Sequence, residues 1–150
     1  MANNTLTLLL GADRGRLKAV PTKRVEVKRL SDLIGAEVIG EDGKAHKEPV
    51  CFTIRALSGE EYTDARDMAM RGEGKDRELE IDTYQMLTLL HGVVDPDLKS
   101  KELREMYGAV TPEDLILRSG LLLPGERATI FNEITALSGF SDEAVTEVKN

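Results

Sequence analysis

The chain has 150 residues, 41 % of them hydrophobic and 31 % charged, which suits one soluble domain with a core of its own. Only 4 % are aromatic and none is Trp, so aliphatic side chains fill that core. A single cysteine excludes an intramolecular disulfide, and no apolar run reaches the roughly 20 residues that cross a bilayer.

The net charge of −7 is unevenly spread. Residues 1–57 hold ten Lys/Arg against seven Asp/Glu, whereas residues 58–150 hold ten against twenty. Seven basic residues fall between Arg14 and Arg29, with Glu26 the one acid among them. A basic arm ahead of an acidic body favours a protein partner or self-association over nucleic acid, because the body repels phosphate. No aromatic residue interleaves the basic ones for base stacking.

Residues 1–20 read as a flexible amino-terminal arm. Asn3, Asn4, Gly11 and Gly15 punctuate an apolar patch, Leu6 to Leu10, which lacks the preceding basic region of a signal peptide. The patch reads as a frayed terminus laid on its own domain, or as an added strand or docking peptide for a neighbour. Residues 21–150 read as one domain, with a β element over 21–57 and a helical body over 58–150.

Val25 and Val27 alternate with charged neighbours, the period of a half-buried strand. Leu30, Leu33 and Ile34 read as a short turn ended by Gly35. Val38-Ile39 and Val50-Phe52-Ile54 are further strands around the turn signal Asp42-Gly43, with Lys44 to Pro49 a solvated connection.

From Ser58 the period becomes helical. Ser58 with Glu61 has the capping-box spacing, and Tyr62, Ala65, Met68 and Ala69 are set to face inward. A longer helix runs from about Arg77 to His91, burying Leu79, Tyr84, Met86, Leu87 and Leu90. Asp95-Pro96 reads as an N-cap and first-turn proline, opening a helix that carries Leu98, Leu103, Met106 and Tyr107 and stops at Gly108.

Thr111 to Phe140 is the most apolar unit. Thr111 caps a helix that holds Leu115 to Leu117 and Leu121 to Leu123 and ends at Pro124-Gly125. A second helix carries Ile130, Phe131, Ile134 and Leu137, closed by Gly139 in a left-handed turn with Phe140 folded back. A short helix from Ser141 ends the chain. The expected fold is mostly α (α+β): a compact helical body of about five to six helices with a small N-terminal antiparallel β element.

Signals for chemistry are weak. His46 and His91 lack metal-ligand spacing, and Cys51 sits between Val50 and Phe52 as a buried thiol. Gly72-Glu73-Gly74-Lys75 lacks the spacing of a phosphate loop and follows a helix. The acids at Glu60-Glu61 and Glu113-Asp114 stand where helix starts use them. The expectation is therefore a non-enzyme with no cofactor and no metal.

Four segments together carry a resemblance: PTKRVEVKRLS, FTIRALSGEEY, DTYQMLTLLHGV with DPDL after it, and LLPGERATIFNEITALSGF. They resemble the XkdN-like phage tail assembly chaperones of tailed phages and defective prophages, over roughly Leu6 to Asp142. The loop Glu41–Glu48 is longer than the family pattern. The resemblance implies a non-catalytic chaperone that binds the tape measure protein in the host cytoplasm and is not expected in the mature virion. The alternative is a minor structural tail protein kept in the virion. The residues expected to meet partners are Leu6, Leu8, Leu9, Leu10, Arg14, Arg16, Lys18, Phe131 and Phe140. Met68, Met70, Met86 and Met106 are either adaptable contacts or ordinary core.

Overall fold

A computed structural model describes residues 4–148. Met1 to Asn3 of the expected arm, and the last two residues, lie outside the described part. Among the described residues there are eight α-helices, and one three-stranded antiparallel sheet runs through the body.

The sheet has the order β1-β4-β7, from Thr22–Glu26, Cys51–Arg55 and Val93–Asp95. β1 behaves as its alternation predicts: Val25 stands opposite Phe52, on the buried side of the central strand β4. β7 corrects the sequence reading twice. It takes the β element beyond residue 57, since Ile54 pairs with Val93. It also draws the chain before Pro96 into the sheet, so no helix starts at Asp95. That helix, α6 (Lys101–Met106), starts at Ser100, whose hydroxyl accepts from the Leu103 amide at 3.3 Å.

Other local readings need correction. Leu6 to Leu10 are neither strand nor frayed coil; they lie in α1 (Thr5–Gly11), capped by the Asn4 side chain, which accepts from the Thr7 amide at 2.8 Å. A second short helix, α2 (Arg14–Lys18), follows. The turn expected at Leu30 to Ile34 is the helix α3 (Lys28–Ile34). The Lys44–Pro49 connection contains a strand, β3 (Ala45–Lys47), paired with β2 (Glu37–Ile39). The long Glu41–Glu48 loop is therefore the tip and return of a hairpin. No helix forms from Ser141 to Val148; one turn closes with the Ala144 amide on the Ser141 carbonyl.

The capping box at Ser58 is formed. Its hydroxyl accepts from the Glu61 amide at 3.1 Å, and Glu61 accepts from the Ser58 amide at 3.0 Å. It opens α4 (Gly59–Ala69), which buries Ala65 and Ala69 but leaves Met68 61 % exposed. A two-residue ladder of β5 (Met70–Arg71) with β6 (Glu78–Leu79) leads into α5 (Ile81–Gly92), which starts four residues later than expected. α5 is the hub of the body. It packs on α4, on α7 (Pro112–Leu117), on α8 (Pro124–Thr135) and on β7. Burial on several sides is why Leu89, which sequence reading left out, is fully covered beside Met86 and Leu87.

The leucine-rich unit also divides differently. α7 ends at Leu117, and Gly120 turns left-handed (φ 82°) before Leu121 and Leu122 return to the core as loop residues. Pro124 does not stop a helix; it is the first residue of α8, where its missing amide costs nothing. Gly139 does take the expected left-handed turn (φ 96°).

Glu61 also joins α4 to the sheet. Arg55 holds its carboxylate through two hydrogen bonds, at 2.8 and 2.6 Å. Chiefly the Arg55 hydrogen bond, with the Ser58 amide, lowers its pKa from 4.5 to about 2. A depressed carboxylate pKa stabilises the fold above the unfolded value and loses that contribution as pH falls through the folded one. The Glu61→Gln variant should thus unfold about 1 kcal/mol more easily than the parent near neutral pH, after discounting for solvent screening. Urea melts from pH 6 down to about 2 should show that gap narrowing below about pH 4.5. A gap that stays constant over this range contradicts the assignment.

Candidate functional site

The residues expected to meet partners fall into two groups on separate elements. The first is the arm. α1 and α2 bury none of their residues. Leu6, Leu8, Leu9 and Leu10 are between 55 % and 77 % exposed, and Leu17 on α2 is exposed as well. Leu6, Leu9 and Leu10 fall at helical spacings of three and four, one face of α1. Seven residues are too few for a stable isolated helix in water. A helix so short, with apolar side chains uncovered, gains most of its stability from whatever covers it. Asp13 caps α2 by accepting from the Gly15 amide, and Arg14, Arg16 and Lys18 make no ion pair among the described residues.

The second surface is aromatic. Phe140 lies 5.2 Å from the Tyr62 ring, Tyr62 6.4 Å from Tyr84, and Tyr84 5.3 Å from Phe131, centroid to centroid. The four rings tie α4, α5, α8 and the turn after α8 together. Phe131 is half-buried against the core, whereas Phe140 is 55 % exposed. Burial, reinforced by Tyr62, pushes the Tyr84 hydroxyl up to about 12, so it stays neutral. No hydrogen bond joins this row to the arm among the described residues.

Sequence reasoning missed a third feature, a groove of about 570 Å³ between β1 and α8. Two ion pairs link its walls. Lys23 meets Glu133, and Arg29 meets Glu126 through two bonds at 2.9 and 3.0 Å. Arg29 also donates to the Leu121 carbonyl at 2.9 Å, which seats the α7–α8 loop. The Arg29 guanidinium, helped by the Leu123 amide, holds the Glu126 carboxyl below its ordinary range. Spacing in sequence gave no signal, because the two walls lie about a hundred residues apart.

The methionines split. Met68 and Met106 are exposed, Met70 is half-buried and Met86 is core. Cys51 is half-buried and free. His46 lies 3.1 Å from Asp42 and His91 3.4 Å from Glu61, both contacts of turns and caps. Among the described residues no cluster of His, Cys, Asp or Glu is arranged to hold a metal ion. No helix there is long and apolar enough to cross a membrane.

Comparison with known proteins agrees with this architecture. The chain is 22 % identical over 129 residues to the phage-like element PBSX protein XkdN of Bacillus subtilis strain 168, covering 83 % of this chain and 84 % of that one. It is 25 % identical over 129 residues to YqbN, an uncharacterized protein of the same strain, covering 83 % of each. The crystal structure of YqbN has the same fold: the TM-score is 0.57 at 20 % identity, over 94 % of this chain and 99 % of that one. The model of the phage XkdN-like tail assembly chaperone proteins matches residues 6–150, nearly the whole sequence. The chain belongs to that tail assembly chaperone family.

Proposed function

We propose that this chaperone binds the tape measure protein of its phage before the tail tube forms around it, and departs as the tube grows. The observation that carries the proposal is the uncovered arm: four leucines of α1, with Leu17, exposed on helices that bury nothing. A tape measure protein is long and helical, and its apolar stripes aggregate when unprotected. An amphipathic helix laid against such a stripe covers it by the helix-to-helix mode, without any covalent step. Arg14, Arg16 and Lys18 add electrostatic attraction toward acidic client segments. Met68 and Met106, exposed and unbranched, supply adaptable contacts nearer the body. Phe140 offers a further apolar contact at the end of the aromatic row. In this reading the protein works in the host cytoplasm, uses no cofactor, and is missing from finished particles.

Co-expression with the tape measure protein of the same phage tests the proposal. The client should stay soluble and co-purify with this chain, and mass spectrometry of finished particles should not find it. A client equally soluble without it sinks the proposal. Detection of the chain in particles at stoichiometric amounts favours a structural tail protein instead.

A further inference from the structure

The outer edge of β1 is unpaired. Pro21 and Val27 bond to β4 through the Ala56 amide and the Val50 carbonyl, each at 3.0 Å, and the register between them is unbroken. Alternation in an antiparallel pair then assigns Lys23 and Val25 to β4 and turns the backbone groups of Thr22, Arg24 and Glu26 outward. None of those three residues has another backbone partner among the described residues. β1 lines the groove against α8, and the lining includes Val27 and Ile130, both buried. A free strand edge beside a groove is the geometry of strand addition.

The charges on the groove select what enters. Lys23 and Arg29 are neutralised by Glu133 and Glu126; Arg24, Lys28 and Glu26 make no ion pair among the described residues, which leaves the groove one net positive charge. An edge of this kind repels another basic strand and admits an acidic one. The chain carries an acidic segment that could take that place. Ser141 to Val148 is exposed throughout, and beyond Ser141 it makes one hydrogen bond among the described residues, from the Ala144 amide to the Ser141 carbonyl. It contains Asp142, Glu143 and Glu147, none in an ion pair among the described residues. Val145, Thr146 and Val148 are β-branched, the residue type that suits a strand, and Val145 and Val148 are 88 % and 84 % exposed. Eight residues extend about 26 Å, enough to run the length of the five-residue β1.

We propose that the free edge of β1, with the groove between it and α8, takes the segment Ser141–Val148 of a second copy of this chain as an added strand. Donor segment and acceptor edge are different surfaces, so the contact is head-to-tail. Repetition gives a ring if the rotation closes and an open array if it does not. The surface is distinct from the arm, and the inference stands whether or not the client is a tape measure protein.

Two variants test it by complementation. Deleting residues 141–150 removes the donor. Arg24→Pro removes an outward amide while leaving the bonds to β4 intact, as proline is tolerated on the open side of an edge strand. In sedimentation velocity the parent chain should gain mass with concentration, and each variant alone should run as a single chain. An equimolar mixture of the two should form a species of twice the single-chain mass, since each supplies what the other lacks. Circular dichroism spectra matching the parent show that the variants fold. A parent that remains a single chain at all concentrations overturns the proposal, as does a mixture that never doubles. So does a monomeric parent whose β1 amides lose exchange protection on truncation, which places the segment on its own edge.

Discussion

Truncating Ile134 to alanine is expected to lower the unfolding free energy by about 2–5 kcal/mol. Ile134 is fully buried on α8, and it sits directly over Gly92, the last residue of α5. A Cβ at Gly92 would lie 2.7 Å from Ile134 Cδ1 and 2.8 Å from its Cγ2. One rotamer change cannot clear both atoms, because a β-branched side chain on a helix has a single favoured χ1. Gly92→Ala gains about 1 kcal/mol of helix propensity, yet overpacking costs about 1–3, so the clash wins. The double variant Gly92→Ala, Ile134→Ala should therefore be less destabilised than the sum of the two, since the new methyl enters the space that Ile134 leaves. Chemical denaturation of the three variants checks this. Strict additivity would mean that α5 and α8 do not meet there.

The second large effect falls on binding and leaves stability alone. Changing Leu6, Leu9 and Leu10 together to serine removes the apolar face of α1. All three are more than half exposed, so unfolding should shift by no more than about 0.5 kcal/mol. Each leucine covered in a complex is worth about 1.5 kcal/mol at the low end, so losing three weakens client binding by roughly a thousandfold. Titration calorimetry against a purified tape measure segment, with thermal melts of the free variant, separates the two effects. An affinity within a few-fold of the parent would move the client to another surface.

How much of this could be read from the residues depends on range. The Ser58–Glu61 box, the Thr111 cap and the left-handed Gly139 turn are fixed by contacts within a few residues, and each appears where its spacing places it. The alternation of Val25 and Val27 marks β1 for the same reason. β7 was illegible because it exists only through the second edge of β4, some forty residues away. Asp95-Pro96 imitates a helix start that the sheet overrides. α1 was misread as strand or coil because a run of leucines has no period of its own, and Asn4 decides it through one cap. In the candidate site, the leucines of the arm were legible as residues, though not as a helix. The groove was not, since it needs the outward side of one strand and a helix whose face is set by ion pairs across the fold.

The arm is where we propose that this chaperone covers its client. Amide hydrogen exchange, followed residue by residue with and without the tape measure protein, tests it most directly. Thr5 to Lys18 should exchange quickly in the free chain, as expected of short uncovered helices, and slow at least tenfold in the complex. Arm amides that exchange equally fast in a complex shown to be formed would contradict it.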